Sequence, residues 1–467
     1  MPPLLREKGI SEANYKRWVF EIVGWLYGER GAPRAWRATL LKFLLSLVDF
    51  KFKQSTFDAD ILFTTTATAV IIVILFVDDL WIFAQNSADA HELLKLIRKR
   101  FKCTDPEWLC GDGTSPGWCV ATSLSGAPTF CAISVYFEAF EGEIYLVLSQ
   151  VEFLEGALRK LVDKGVVTDV ELSRSVWSLD LKIFAADYLL EECDDNPLLR
   201  PEDLTKLRAA VNTLSYAALR TKSELLPALG QCARGQSASG RSRHLKSMIV
   251  LLRYAWSTRF RTVNLKTGLR TEGKPVDKVP ATRRVKDVTG VVFQQSAHFD
   301  ASLGCSGSSQ DAFARQGAHF FLSLANTDLG LWLSKCSLQC TIILSTTEAE
   351  LTSATSCAKE LVGTANFLIE LFPHSVVPTA KMWGDNTAAN SIGNCLAALR
   401  KVRHLSLAQL WCRKATADNQ VAIDYVKSGE NLSDLLTKIL PREKLDALLR
   451  QLGVFCMPNS AREDQAE

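Results

Sequence analysis

The sequence lacks several features that would place it quickly in a class of protein. Its 13 cysteines show neither CxxC nor CxxH spacing, which argues against zinc-binding modules. The N-terminus carries no secretory signal, so we expect reduced thiols and an intracellular location, cytoplasmic or nuclear. The most apolar stretch, Ala67–Val77, is too short to cross a bilayer and is closed by two charged residues. The sequence therefore predicts no contact with a membrane.

Internal repeats and low-complexity tracts are also missing, and net charge is small. With 467 residues, 47% hydrophobic and 22% charged, the chain reads as a globular protein of two or three domains. The formal net charge is +3, but residues 201–290 contain 18 Lys and Arg against 6 Asp and Glu. Such a basic middle between acidic flanks favours a path for a polyanion over a uniformly basic surface.

The periodicity of apolar residues predicts an α/β protein. The first part reads as helix, hairpin and helix, with strands at Ile61–Thr66 and Ala69–Val77. The middle is mainly helical, and Leu265–Pro280 has the composition of a linker. From about Val285 the order becomes three strands, helix, strand, helices, strand and helix. The predicted elements of this last part are strands at Val288–Asp300, Ala312–Leu324, Leu331–Leu344, Ala380–Asp385 and Val421–Val426, and helices at Ser345–Phe372, Thr387–Cys395, Arg400–Thr416 and Leu432–Leu452.

Two adjacent aspartates, Asp78 and Asp79, end the apolar β-branched run of Ile71–Val77. Buried carboxylates without partners are costly, so such a pair normally finds a cation or changes its protonation state. A strand–turn–strand hairpin that presents the pair to Mg²⁺ is one interpretation. An ordinary tight turn between two strands is the other, and this stretch alone does not separate them.

Four carboxylates lie at the ends of predicted elements in the last part of the chain. They are Asp300, Glu348, Asp385 and Asp434. Convergence of the four would supply oxygen ligands for two Mg²⁺ ions and so support phosphodiester cleavage. Glu348 could instead cap its helix, since Ser345 and Glu348 have capping-box spacing, and Asp434 could be an N-terminal helix acid.

Seven segments resemble the reverse transcriptase and ribonuclease H parts of copia-type retrotransposon polyproteins, and they occur in the same order. They are LYGERGAPRAW (26–36), LFVDDL (75–80), LRAAVNTLSYAALR (207–220), LSTTEAEL (344–351), GDNTAA (384–389), VRHLSLAQLWCRK (402–414) and NLSDLLTKILPREKL (431–445). The resemblance covers nearly the whole chain and is weakest at Cys103–Ser149. It implies an α+β palm remnant with a helical thumb and connection, then a ribonuclease H-like α/β domain with a mixed five-stranded sheet. The implied domains are residues 1–145, 146–280 and 285–467.

The resemblance also implies site residues and partners. Asp78 and Asp79 match the polymerase aspartate pair, with Asp78 as the principal metal ligand. Asp300, Glu348, Asp385 and Asp434 match the acids that hold two Mg²⁺ ions in ribonuclease H. The partner would be an RNA–DNA hybrid or another nucleic acid, with other Pol and Gag products of a retroelement as further partners. Contacts to phosphates are expected at Arg241, Arg243, Lys246, Arg253 and His404.

Some residues depart from the family pattern. The third polymerase aspartate has no counterpart in Met1–Arg17, so the polymerase site is expected to be incomplete in this chain. Gly31 stands where the family commonly has glutamine, and Ser302 and Leu303 replace an acid and a tryptophan after Asp300. His404 could assist product release, or it could simply make hydrogen bonds within its domain or to a phosphate.

Three functions remain open at this point. The first is Mg²⁺-dependent cleavage of RNA in RNA–DNA hybrids. The second is RNA-directed DNA polymerisation, which requires the missing aspartate from an upstream segment. The third is an inactive relic that only binds nucleic acid through its basic middle. Convergence of the four carboxylates would favour the first function over the third.

Overall fold

The structure is a computed structural model that describes residues 31–66, 70–77, 79–85, 87–107, 127–271, 290–303, 314–325, 327–340, 342–397 and 405–458. The chain divides into two compact units, one formed by residues 1–64 and 69–85 and the other by residues 65–68 and 86–467. In the described part of the chain, no helix is both long and apolar enough to span a membrane.

The described residues of the first unit form one helix and a four-stranded sheet. Helix α1 (Ala32–Leu45) has Pro33 in its first turn, where a missing N–H removes no helical hydrogen bond. The strands β1 (Lys53–Gln54), β2 (Ile61–Thr65), β3 (Val70–Phe76) and β4 (Asp79–Ala84) follow each other in the sheet. Strands β3 and β4 form the predicted hairpin, with Phe76 opposite Asp79. Val77 in its turn has φ of 55°, a conformation that β-branched residues rarely adopt.

The second unit opens with α2 (Ser87–Arg100) and continues with a set of strands and helices that alternate in blocks. These are β5 (Thr129–Phe130), β6 (Ile133–Phe140), β7 (Glu143–Ser149), α3 (Val151–Asp163), α4 (Asp169–Ser173), α5 (Ala186–Leu190), α6 (Pro201–Ala218), α7 (Leu226–Ala233), α8 (Ser242–Ser257) and β8 (Arg261–Arg270). Strands β5 to β8 form an antiparallel sheet, and the helices pack around Leu154, Leu207 and Leu251.

The last part of the second unit carries the elements on which the predicted carboxylates lie. These are β9 (Phe293–Ser302), β10 (Arg315–Leu324), β11 (Thr327–Leu338), α9 (Thr346–Leu371), β12 (Ala380–Gly384), α10 (Thr387–Gly393), α11 (Trp411–Ala417), β13 (Val421–Tyr425), α12 (Asp434–Thr437), α13 (Arg442–Gln451) and β14 (Val454–Cys456). The strand order is β11-β10-β9-β12-β13. Strands β9 to β11 are antiparallel, and β12 is parallel to both β9 and β13. The α/β class and the mixed five-stranded sheet are therefore confirmed.

Helix α9 covers this mixed sheet along its length. Its N-cap is Ser345, whose hydroxyl accepts a hydrogen bond from the Glu348 backbone N–H at 3.2 Å, as the sequence predicts. Apolar side chains of α9, among them Leu351 and Leu361, pack with Phe299 and Met382 of the sheet. One face of α9 is thereby fixed against β9.

The structure differs from the predicted elements at three places. The predicted linker at Leu265–Pro280 begins inside strand β8, whose partners β7 and β14 come from distant parts of the chain. The predicted helix Leu432–Leu452 is two helices, because Pro441 lacks the N–H that a continuous helix needs. Among the described residues of Arg400–Thr416, helix begins only at Trp411.

The middle segment and the C-terminal residues share one core. Leu436 and Leu448 belong to the same apolar cluster as Leu207 and Leu251, and β14 pairs with β8 through Val454. The predicted domain boundary between residues 280 and 285 lies outside the described residues. The apolar packing on its two sides is continuous.

Candidate metal centre

Asp300 lies near the end of β9 and is almost completely buried. It faces Gly317 of β10 across the antiparallel pair, and a side chain at Gly317 would place a Cβ 2.5 Å from the Cβ of Leu436. The glycine therefore leaves the space in which α12 lies against the sheet. From α12, the Thr437 hydroxyl donates a hydrogen bond to the Asp300 carboxylate.

Asp385 follows the last residue of β12. Trp383 of β12 pairs with His298 of β9 in parallel register. Asp385 and Asp300 each lie two residues further along the chain, so the same register places them side by side. Gly384 is required because any Cβ would overlap the ring of Phe299. Asn386 caps α10 by accepting a hydrogen bond from the Ala389 N–H at 3.0 Å. The Gly-Asp-Asn tripeptide thus combines close packing, a carboxylate and a helix cap.

The structure places Glu350, and not the predicted Glu348, beside Asp300 and Asp385. The Glu348 carboxylate accepts a hydrogen bond from the Leu344 N–H at 2.9 Å, which is a capping contact. Glu350 instead faces β9, where its Oε1 accepts a hydrogen bond from the Ala301 N–H at 3.2 Å. Ser353, one turn later, donates to the Asp300 carbonyl and marks the same helix face. The side of α9 that faces β9, and not the distance from the helix start, distinguishes Glu350 from Glu348.

Asp300, Glu350 and Asp385 form a compact group of carboxylates. One oxygen from each lies within 4.8 Å of the other two. Glu350 is only 5% exposed, and its Oε2 has no hydrogen-bond partner among the described residues. Burial and the charges of Asp300 and Asp385 raise the pKa of Glu350 to about 9. Burial also raises the pKa of Asp300. Without a cation, the three carboxyl groups cannot all ionise cheaply at neutral pH.

Asp434 lies beside this group but is paired with lysines. Its Oδ1 accepts from the Lys438 ammonium and its Oδ2 from the Lys444 ammonium, each at 2.6 Å. Lys438 also lies 3.4 Å from the Asp300 carboxylate. Although partial burial acts in the opposite direction, the carboxylates of Asp300 and Asp434 raise the pKa of Lys438. The structure therefore brings two of the four predicted acids, Asp300 and Asp385, into one group with Glu350. Asp434 lies next to this group and is linked to Asp300 through Lys438.

The predicted polymerase residues lie in the other unit. Asp78 is outside the described residues. Asp79 is the first residue of β4, and its side chain is exposed at the hairpin end. A hairpin at this place is common to both interpretations of the aspartate pair, the turn that presents Mg²⁺ ligands and the ordinary tight turn.

Of the residues predicted to contact nucleic acid, two arginines form ion pairs with acids of this chain. Arg241 pairs with Glu192, and Arg243 pairs with Glu191 and stacks over the ring of Tyr188. Their side chains are 15% and 13% exposed. They tie the acidic turn before α6 to the start of α8.

The other predicted contacts differ in their exposure. The Arg253 Nε donates to the Arg174 carbonyl at 3.1 Å. Lys246 is exposed on α8. His404 lies outside the described residues.

Comparison with known sequences relates the chain to proteins of mobile elements. Residues 6–108 match the family described as reverse transcriptase (RNA-dependent DNA polymerase). The chain is 22% identical over 455 residues to the retrovirus-related Pol polyprotein of a Nicotiana tabacum transposon, which covers 96% of this chain and 29% of the relative. A Pol polyprotein of an Arabidopsis thaliana transposon is 21% identical over 462 residues, covering 97% of this chain and 26% of the relative. The chain thus spans less than a third of these relatives.

Solved structures similar to part of the chain include two ribonuclease H proteins. One is ribonuclease H1 of Halobacterium salinarum, at 13% identity and a TM-score of 0.21, covering 33% of this chain and 98% of that protein. The other is the N-terminal ribonuclease H domain of a Mycobacterium tuberculosis protein, at 12% identity and a TM-score of 0.20, covering 35% and 97%.

Proposed function

We propose that this chain, a relative of copia-type retrotransposon Pol polyproteins, cleaves the RNA strand of RNA–DNA hybrids in a Mg²⁺-dependent reaction. The observation that carries the proposal is the convergence of Asp300, Glu350 and Asp385 from a strand, a helix and a second strand end. The Oε2 atom of Glu350 is buried and has no hydrogen-bond partner among the described residues. Carboxylates that come from separate elements to one point are rarely an accident of folding, since their mutual repulsion is unfavourable.

The donor set suits a hard divalent cation. Mg²⁺ prefers oxygen ligands, and carboxylates supply both the oxygens and the negative charge. Asp300, Glu350 and Asp385 would hold the ion. When bound, such an ion supplies activation of water and stabilisation of the leaving oxygen in phosphodiester hydrolysis. The residues present therefore fit a magnesium centre.

The surrounding side chains orient the carboxylates. The Thr437 hydroxyl donates to Asp300 and the Ser428 hydroxyl donates to Asp385. These donors fix the rotation of each carboxylate plane, which keeps free oxygen lone pairs directed at the centre. The loop before α12 is itself held to β9, because Asn431 donates to the Phe299 carbonyl and Ser433 donates to the His298 carbonyl.

A hybrid-cleavage assay tests the proposal. The wild-type chain with Mg²⁺ should cleave a labelled RNA strand only when it is paired with DNA. Asp385→Asn and Glu350→Gln should each lower the cleavage rate by at least about 100-fold. Each substitution removes a ligand of the cation that stabilises charge in the transition state. The matched control is Glu348→Gln, which changes a glutamate two residues away whose carboxylate caps a helix. Equal rates for wild type and D385N would refute the proposal.

The relic interpretation gives a different result in the same assay. A protein that only binds nucleic acid would show salt-sensitive affinity for the hybrid without any cleavage. Loss of binding in D385N would not be expected in that case, because no metal would link the carboxylates to a phosphate.

RNA-directed DNA polymerisation is a second candidate. It is favoured by the match of residues 6–108 to the reverse transcriptase family. The β3–β4 hairpin, in which Asp79 is the first residue of β4, also favours it. Primer extension by this chain, and by a chain extended upstream, would test it. Extension that is lost in an Asp78→Asn variant would support polymerase activity, and absence of extension in both chains would refute it.

A further inference from the structure

The Lys438 ammonium lies between two acids of the candidate metal centre. Its Nζ is 2.6 Å from Asp434 Oδ1 and 3.4 Å from both oxygens of Asp300. Asp300 is also a member of the group with Glu350 and Asp385. The Asp300 carboxylate is therefore shared between an ammonium and the two remaining carboxylates. In a site for two metal ions, a carboxylate that bridges both ions would lie between two positively charged groups.

Asp434 has a cation at each of its oxygens. Lys438 directly follows the short helix α12 in extended conformation, and its ammonium reaches Oδ1. Lys444, in the first turn of α13, reaches Oδ2 at 2.6 Å. Asp434 is 2% exposed, so these ammonium groups replace the water that would otherwise solvate it. Asp434 is thereby neutralised by the protein itself.

The charges of the centre balance with one divalent ion. Four carboxylates contribute four negative charges, and Lys438 and Lys444 contribute two positive charges. The remaining two negative charges equal the charge of one Mg²⁺. A second divalent ion would leave two positive charges in a buried site, and a single backbone phosphate would bring only one negative charge against them.

We propose that the ammonium of Lys438 takes the place of a second metal ion, so that the chain binds one divalent cation through Asp300, Glu350 and Asp385. This inference rests on the proposed function and refines it, since the family resemblance implies two Mg²⁺ ions. Lys438 is a positioning residue in the free protein, because it acts through Asp300 and Asp434. Lys444 holds the second oxygen of Asp434.

The test is the number of Mn²⁺ ions bound by the full chain, measured by titration calorimetry and by electron paramagnetic resonance in the absence of nucleic acid. Wild type should bind one ion. Lys438→Met removes the charge while keeping the aliphatic stem, and it should bind two ions, with spin coupling between them. Lys438→Arg keeps the charge and should bind one.

Two further variants separate the place of the charge from its amount. Lys444→Met is the matched control, because it removes an ammonium from Asp434 and leaves the one beside Asp300. It should bind one ion. The double variant Asp434→Asn with Lys438→Met restores the charge balance and should also return to one ion. This double variant keeps the test decisive if K438M alone folds poorly.

The outcomes distinguish this inference from the proposed function. Two ions in wild type, or one ion in K438M with wild-type affinity, would overturn the role of Lys438 and leave the carboxylate centre intact. The absence of a bound ion in wild type, or an ion whose affinity is unchanged in E350Q and D385N, would overturn the proposed function itself.

Discussion

Replacing Glu350 by glutamine should stabilise the protein when divalent ions are removed. In the free protein, burial and the neighbouring Asp300 and Asp385 raise the pKa of Glu350 from 4.5 to about 9. A neutral amide of nearly the same shape can still accept the hydrogen bond from the Ala301 N–H. The substitution therefore removes the cost of holding this carboxyl group protonated above its unfolded pKa, while it keeps the packing.

The sign of the effect follows from proton binding. Between the unfolded pKa of 4.5 and the folded pKa of about 9, the folded state keeps a proton that the unfolded chain has released. The free energy of unfolding therefore falls as the pH rises through this window. At neutral pH the difference for one group amounts to about 3 kcal/mol. E350Q should have no such loss from this position.

Hydrogen exchange of the β9 amides, in buffer with a chelator, measures the local free energy of opening. A series from mildly acidic to mildly alkaline pH should show wild type losing stability and E350Q losing much less. E348Q is the matched control and should keep the wild-type slope, because Glu348 is hydrogen-bonded to the Leu344 N–H instead of facing Asp300. Added Mg²⁺ should stabilise wild type far more than E350Q.

The reverse pattern would refute this reasoning. If E350Q kept the wild-type pH slope and E348Q lost it, Glu348 would be the third carboxylate of the centre. Equal slopes in all three proteins would mean that no glutamate of α9 carries a raised pKa.

Three further predictions concern buried groups outside the centre. Burial lowers the pKa of His319 from 6.5 to about 3, so the unfolded chain binds a proton first as the pH falls through this interval. Stability is lost there, and His319→Gln should reduce the loss in urea unfolding at acidic pH. Gly384→Ala should cost about 2–3 kcal/mol by overlap with Phe299, whereas Gly363→Ala, with open space around it, should be neutral or slightly stabilising. The buried Lys222 donates to three backbone carbonyls, so Lys222→Met should cost about 3 kcal/mol or more in the same assay.

Local sequence patterns predicted much of the mixed sheet and its long helix. The Ser345 cap, the strand at Ala380 and the Gly-Asp-Asn tripeptide depend on neighbours within a few residues. Such signals are readable because capping and strand alternation are local effects. The pairing of β10 with β11 follows from the connection of only two residues between these antiparallel strands.

The glutamate of the centre could not be chosen from spacing alone. Glu348 and Glu350 are both buried and both near the start of α9. Two residues correspond to about 200° around a helix, so the two side chains point to different sides. Which side meets β9 is decided by the packing of the whole helix against Phe299 and Met382. That contact joins residues far apart in the sequence.

The basic middle shows a similar limit. Local composition predicted a surface for polyanions, yet several of its arginines bind acids of this same chain. Arg259 pairs with Glu155, and Arg261 pairs with Asp446 near the C-terminus. Amino-acid composition gives the number of charged residues in a segment but not their ion-pair partners. The acids that neutralise a basic segment can come from any part of the fold.

The same long-range pairing joins the segments on the two sides of the predicted boundary near residue 280. Strand β8 has the lysine, glycine and threonine content that is typical of a linker. Its sequence does not indicate which strands it pairs with. Its edge is completed by β14, and Arg261 on β8 reaches Asp446 on α13 at 2.7 Å. Helix α13 follows Lys438 and carries Lys444, so the element that anchors Asp434 is itself anchored to the middle segment. The geometry of the carboxylate centre therefore depends on packing that begins more than a hundred residues before Asp300.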